Sequence, residues 1–352
     1  MKIAFIWNNI SGYMASCWTA LSEMDGVDVA VCAYSPSPKA PFSGELVANL
    51  NCRLLSPEDR QRKDAYLQFI DDTDADIYVL GGWGNPIFPT LAPVIKGRGK
   101  KVITALDTPY LGKLKQKLTR FRYPALFKNT DMFAVTGERS YQYAQRLNPE
   151  VPARKGLYGV QSDLLARAYD ERCQSEWPKS FLYIGRYAKV KGLDVLTAAY
   201  RSYRDQVEDP WPLVCCGTGP LESLLNETPG VDNRGFCQPE EIVQIMRQCG
   251  VFTLASNFDP WPLVIVEACN AGLPVICTEA CGSAVENVRS YYNGITVRDN
   301  SREELADSMR YAHDHYEEMP LWGQRSINLS RVYGADFWAQ RWHNWALQLL
   351  SK

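Results

Sequence analysis

Short apolar runs alternate along this chain with longer segments in which apolar residues recur at helical spacing. The runs at 3–7, 27–33, 77–80, 102–106 and 132–135 read as strands buried on both faces. So does a second set at 181–184, 213–216, 251–254, 275–277 and 295–297. Between them, residues 15–24, 193–204, 240–249 and 302–315 carry the helical period. Strands alternating with helices predict an α/β class with parallel sheets covered on both faces. Two groups of strands predict two doubly wound domains. The break falls near Tyr158-Gly-Val-Gln-Ser162, ahead of a polar stretch that reaches Pro178, giving domains 1–160 and 161–334. Near the end, tryptophans at 338, 342 and 345 share a helical spacing that points into a core.

Composition narrows the class. With 352 residues the chain has room for two domains of roughly 150 residues. A net charge of −2 argues against a nucleic-acid binder that relies on overall basicity. No run approaches the ~18 apolar residues of a membrane span. Met1-Lys-Ile-Ala-Phe-Ile-Trp7 is too short for a signal peptide and reads as a first strand. Eleven cysteines are scattered, many inside apolar elements, with no CxxC pair. That pattern suits a reducing cytoplasm, with thiols packed as small hydrophobes. The three histidines all lie beyond residue 312, away from any cysteine cluster, so no metal site is expected.

In open α/β sheets, ligands collect at the carboxyl ends of strands. Asp107, Gly185-Arg186, Gly217-Thr-Gly-Pro220 and, after a short loop, Asp259 all follow predicted strands. Between Asp259 and Glu279 the only charge is Glu267, set within Leu263-Val-Ile-Val266 and Ala268-Cys-Asn-Ala271. A lone carboxylate in an apolar segment costs several kcal/mol if buried, unless a ligand or network uses it. Pro262 is expected as the first helical residue, with an anion cradle of backbone N–H groups at that start. Arg186 and Lys191 pair a two-pronged donor with a point charge, which suits a diphosphate, and Lys189 competes for the second place. Two surface cations at a strand end would look the same. Gly217 and Gly219 allow close backbone approach, and a plain tight turn is the equal alternative. Asn8-Asn9-Ile-Ser-Gly12 follows the first strand as a second phosphate-facing loop, without a full GxGxxG.

Taken together, Gly185-Arg186 with Lys191-Gly192, Gly217-Thr-Gly-Pro220, Asn233-Arg-Gly-Phe236, and Asp259 and Glu267 with seven residues between them resemble the retaining glycosyltransferases of family 4. The run 262–276 is very similar to that family's signature. The resemblance is strong over about 180–298 and rests on strand pattern over 1–160. It implies the GT-B fold: two Rossmann-like domains facing a cleft, the final helix crossing back to the first. It implies that Glu267 binds the donor ribose and Asp259 the hydroxyls of the transferred sugar. Arg186 and Lys191 would clamp the diphosphate with N–H groups near Leu263 and Val264, and the chain at Gly235-Phe236 would meet the base. The donor would be a UDP- or GDP-sugar used as co-substrate, with no cofactor and no metal. Two positions depart from the family. Asp259 stands where glutamate is usual, which shortens the reach by about 1.5 Å, one C–C bond. Leu106 stands where many relatives have a histidine, while Asp107 remains.

The acceptor side is less specific: a glycan, a small molecule or a lipid-linked sugar. Residues 111–128 hold six basic residues and no acid, with Leu111, Leu114, Leu118 and Phe121 at helical spacing. Such a helix either packs its leucines into the core or lies on an anionic membrane surface, the inner face for a cytoplasmic protein. The leading expectation is a retaining sugar transferase. The alternatives are a catalytically weak nucleotide-sugar-binding module, favoured by Leu106 and Asp259, and a sugar-nucleotide epimerase. The epimerase needs acid–base groups in the first domain, where only Asp107 and Glu138 stand out.

Overall fold

The structure, a computed structural model, describes residues 1–35 and 47–351. The chain divides into two compact units, Met1–Val160 with Ala335–Lys352, and Gln161–Gly334.

The first unit is built on seven parallel strands: β1 (Lys2–Asn9), β2 (Asp28–Tyr34), β3 (Asn51–Leu55), β4 (Ile77–Leu80), β5 (Lys101–Leu106), β6 (Met132–Val135) and β7 (Ala153–Lys155). Their order across the sheet is β3-β2-β1-β4-β5-β6-β7. The two-residue period of β1 sorts the core into two layers. Ile3, Phe5 and Trp7 face a layer with Trp18 and the C-terminal helix Ala335–Leu350. Ala4 and Ile6 face a layer with Tyr66 and Phe69. The tryptophans of the last helix are core, as their spacing predicts. Trp338 and Trp342 stack at 4.9 Å. Trp342 lies 5.4 Å from Phe5. Their indole N–H groups donate to the Leu157 and Gly156 carbonyls at 2.8 and 3.3 Å.

The second unit carries six parallel strands: β8 (Phe181–Ile184), β9 (Leu213–Cys216), β10 (Val231–Gly235), β11 (Val251–Leu254), β12 (Val275–Thr278) and β13 (Gly294–Val297). They run in the order β10-β9-β8-β11-β12-β13. In both sheets the chain starts in the middle, goes out to one side and returns to the other. The switch points lie between β1 and β4 and between β8 and β11, where such sheets hold ligands.

Five strands per sheet were expected; the three unforeseen ones, β3, β7 and β10, are all edges. An edge strand needs no continuous apolar run, and Ala153-Arg-Lys155 and Val231-Asp-Asn-Arg-Gly235 have none. The basic stretch forms a helix at Leu114–Arg122 and a short one at Pro124–Lys128. The two helices differ: Leu126 and Phe127 of the short one enter the core, whereas Leu111, Leu114 and Leu118 are exposed.

Candidate functional site

The carboxyl ends of β10, β9, β8 and β11 are joined loop to loop. The Gly217 N–H donates to the Gly235 carbonyl at 2.7 Å, Tyr187 to Thr218 at 2.9 Å, and Asn257 to Val190 at 3.0 Å. This seam brings Phe236, the Gly217-Thr-Gly219 turn, Arg186, Lys191 and Asp259 onto neighbouring strand ends. The glycines are needed for the seam itself. A Cβ on Gly217 would lie 1.9 Å from the Gly185 carbonyl oxygen, and one on Gly219 would lie 2.5 Å from that of Tyr187. Both have φ near +150°, a region side chains rarely adopt. Their close approach is therefore to the β8 loop.

Lys191 Nζ donates to Asp259 Oδ2 in an ion pair that is mostly buried. The two residues expected to hold different parts of a donor thus hold each other. An ammonium has three donors, so Lys191 can keep this bond and still reach phosphate oxygens. The pair is neutral overall, whereas the exposed side chains of Arg186 and Lys189 form no ion pair among the described residues. Lys189 is exposed, and its carbonyl accepts from Asn257 Nδ2 at 3.0 Å. Phe236 is also exposed, an aromatic face without packing at the end of the edge strand β10.

The helix Leu263–Asn270 begins one residue later than the sequence suggests. Pro262 is its N-cap, with an extended ψ of 102°. Its carbonyl accepts from Ser283 Oγ at 2.8 Å. Leu263 and Val264 are the first helical residues, so their N–H groups have no intrahelical acceptor. Glu267 lies one turn in. It is half-buried rather than enclosed, and its carboxyl makes no hydrogen bond or ion pair among the described residues. Burial pushes its pKa up to about 7. The loop ahead of this helix adds buried polar atoms without partners, Ser256 Oγ, Asn257 Oδ1 and Trp261 Nε1. Native proteins leave few such atoms unsatisfied.

At its other end the helix rests on a residue the sequence did not single out. Arg172 is 1 % exposed and donates to the Ala271 and Gly272 carbonyls at 2.9 and 3.1 Å and to Met246 at 2.5 Å. It thus caps the helix Leu263–Asn270 and the helix Pro239–Arg247 at their negative ends. Burial lowers its pKa to about 10, so it stays charged at neutral pH.

In the first unit, a cavity of about 380 Å³ sits at the β1–β4 switch point. Trp7, Tyr13, Trp83 and Tyr158 line it, together with Asn8 and Asp107. Asp107 accepts from Tyr158 Oη and from Thr108 Oγ1, both at 3.1 Å. Burial, then the Asp107 charge, holds the Tyr158 phenol protonated. Trp7 and Tyr13 are near neighbours in sequence, but Trp83 and Tyr158 are far from them and from each other, and the sheet brings them together. Leu106 lines the cavity from within the core. Gly12 opens the helix Gly12–Ser22 beside it, and a Cβ there would meet nothing within 4 Å. Among the described residues, no group of three His, Cys, Asp or Glu side chains is arranged to hold a metal ion.

Comparison with known proteins agrees with this architecture. Residues 171–328, most of the second unit, match the model of the glycosyl transferases group 1 family. A Bacillus subtilis glycosyltransferase assigned to teichuronic acid biosynthesis, TuaC, is 27 % identical over 134 residues, which is 38 % of this chain and 33 % of TuaC. The chain spans less than half the length of the curated relatives it matches. Among solved structures, sucrose-phosphate synthase from Thermosynechococcus elongatus superposes with a TM-score of 0.77 at 16 % identity, over 100 % of this chain and 99 % of that one. Anabaena HepE, solved with UDP and glucose, superposes with a TM-score of 0.74 at 14 % identity, over 98 % of both chains. The fold is GT-B, with two Rossmann-like units, and the second unit is where the similarity to the glycosyl transferases group 1 family lies.

Proposed function

We propose that the protein transfers a sugar from a nucleoside diphosphate to an acceptor hydroxyl, with retention of anomeric configuration and without a metal. The observation that carries this is the second unit's switch point. There an unpaired arginine, a lysine–aspartate pair and an unpartnered carboxyl stand around a helix start with free N–H groups, inside the region that matches the group 1 model. Arg186 and Lys191 would stabilise the charge that the diphosphate gains as the anomeric C–O bond breaks. The N–H groups of Leu263 and Val264 would hold the same phosphates. Asp259 would orient the sugar, Glu267 the ribose, and Phe236 would stack on the base. A UDP-sugar is the first donor to try, since HepE was solved with UDP and glucose.

The acceptor reading rests on the first unit. Aromatic faces with a few fixed polar groups suit a hydroxyl-rich ring, and Asp107, which lines the cavity, would accept from an acceptor hydroxyl. The test is incubation with UDP- and GDP-sugars and a panel of glycoside acceptors, in excess EDTA, with product anomers read by proton NMR. The expected product keeps the donor configuration and forms at the same rate with or without chelator. Donor binding with no transfer or hydrolysis across the panel would favour the binding-module reading. Epimerised donor without transfer would favour the epimerase.

A further inference from the structure

The helix Leu114–Arg122 presents to solvent the face that a surface helix normally buries. At about 100° per residue, Gln116, Thr119 and Tyr123 share one side. That side is the seated one. Thr119 is buried and accepts from Tyr143 Oη at 3.1 Å, while Gln116 bridges the Leu111 N–H and the Pro109 carbonyl at 2.7 Å each. Leu114, Leu118 and Phe121 occupy the opposite side and are 70 %, 51 % and 67 % exposed. Leu111, just before the helix, extends the stripe. By the same geometry Lys115 and Arg122 border it on one edge and Lys117 on the other, with Lys113 and Arg120 farther round on the side of Lys117, toward Gln116. All five are exposed, and none is ion-paired among the described residues.

We infer that this face docks on an anionic lipid surface, with Leu114, Leu118 and Phe121 in the boundary of the acyl chains and the five cations among the phosphates. Apolar side chains without a core partner and cations without carboxylates are together the two parts of interfacial binding. A second copy of the chain fits poorly, because a self-complementary contact would set five cations against the same five. A purely acidic polymer would use the cations but leave the apolar stripe in water. No described helix is long and apolar enough to cross a membrane, so the contact proposed is peripheral. The overall charge of −2 offers an anionic surface no attraction, whereas this patch does. The inference does not depend on the transferase reading.

The test is flotation of the full chain with phosphatidylcholine vesicles, alone or mixed with phosphatidylglycerol. Binding is expected to the mixed vesicles only and to fall as salt shortens the Debye length. Each cation neutralised, as in Lys117→Gln, should weaken partition about fivefold. The triple change Leu114→Ser, Leu118→Ser and Phe121→Ser should abolish flotation without lowering Tm, since these side chains hold nothing in the fold. Failure of the wild type to float with mixed vesicles at low salt overturns the inference. So does equal binding to neutral vesicles, flotation retained by the triple variant, or a solution dimer that the triple variant disperses.

Discussion

Glu267 is where stability and function pull in opposite directions. Its carboxyl holds a proton more tightly folded than unfolded, from an ordinary 4.5 to about 7. In that window the folded state binds more protons, so stability is greatest below pH 4.5 and falls as pH rises toward 7. The loss is on the order of 3 kcal/mol by pH 8. Glu267→Gln removes the ionisation. The variant should melt several degrees above wild type at pH 8 and with it at pH 4, read by calorimetry. Its nucleoside diphosphate affinity should drop about ten- to a hundredfold, the worth of a charge-assisted hydrogen bond. An unchanged melting point at pH 8 would show that the carboxyl is solvated. Asp259 should fail differently. In the proposed reaction it would face the group that changes, so Asp259→Asn should lower kcat more than it raises donor KM. Its pairing with Lys191 adds a further expectation. Lys191→Met strips a cation and leaves a mostly buried carboxylate facing the phosphates, while Lys191→Met with Asp259→Asn leaves neither. The double variant should bind nucleoside diphosphate more tightly than Lys191→Met alone, with a coupling of about 1–3 kcal/mol by titration calorimetry. Strict additivity would mean that the ion pair does not face the phosphates.

At the scale of elements, the glycines separate scaffold from contact. Gly219→Ala forces a Cβ against the Tyr187 carbonyl and should lower stability by about 1–3 kcal/mol, weakening nucleoside diphosphate binding with it. Gly12→Ala has open space and a helical position, so it should be neutral or stabilising by about 0.5 kcal/mol. A fall in donor or acceptor binding in Gly12→Ala at unchanged Tm would put a ligand against that helix start. The same contrast explains what the sequence made legible. Interior strands such as Ile77–Leu80 are buried on both faces and announce themselves as apolar runs. Strand-end residues followed, because the strands that position them were visible. Edge strands were not, since one free edge removes the need for apolar composition. Tyr158 was also out of reach, because its hydrogen bond to Asp107 crosses 51 residues of sequence. So was Arg172, whose partners are backbone carbonyls that no side-chain pattern encodes. The outward stripe of Leu114–Arg122 has the same periodicity as a buried one, and only the hydrogen bonds of Gln116 and Thr119 reveal which side is seated.

At the scale of the whole molecule, the two units differ in how the chain builds them. The second, Gln161–Gly334, is one continuous segment with its own sheet and core. The first is discontinuous, for Trp338 and Trp342 complete the layer that covers Phe5 and Trp18. Removing the last helix would therefore strip two fully buried tryptophans, each worth about 3–5 kcal/mol when lost from a core. That sum rivals the total stability of a domain of this size. A chain ending at residue 334 should thus lose the cooperative unfolding of its first unit and expose its apolar layer to a hydrophobic dye. Its second unit should keep its own transition. Expressed alone, residues 161–334 should fold and bind nucleoside diphosphate within a fewfold of the full chain, because every donor-facing residue assigned here except Gly12 lies in that segment. Thermal denaturation of the two truncations, followed with and without UDP and GDP, reads both halves of the argument. A ligand-induced shift in the full chain that vanishes in 161–334, with that segment folded, would place an indispensable donor contact in the first unit, and Gly12 would be the first residue to examine.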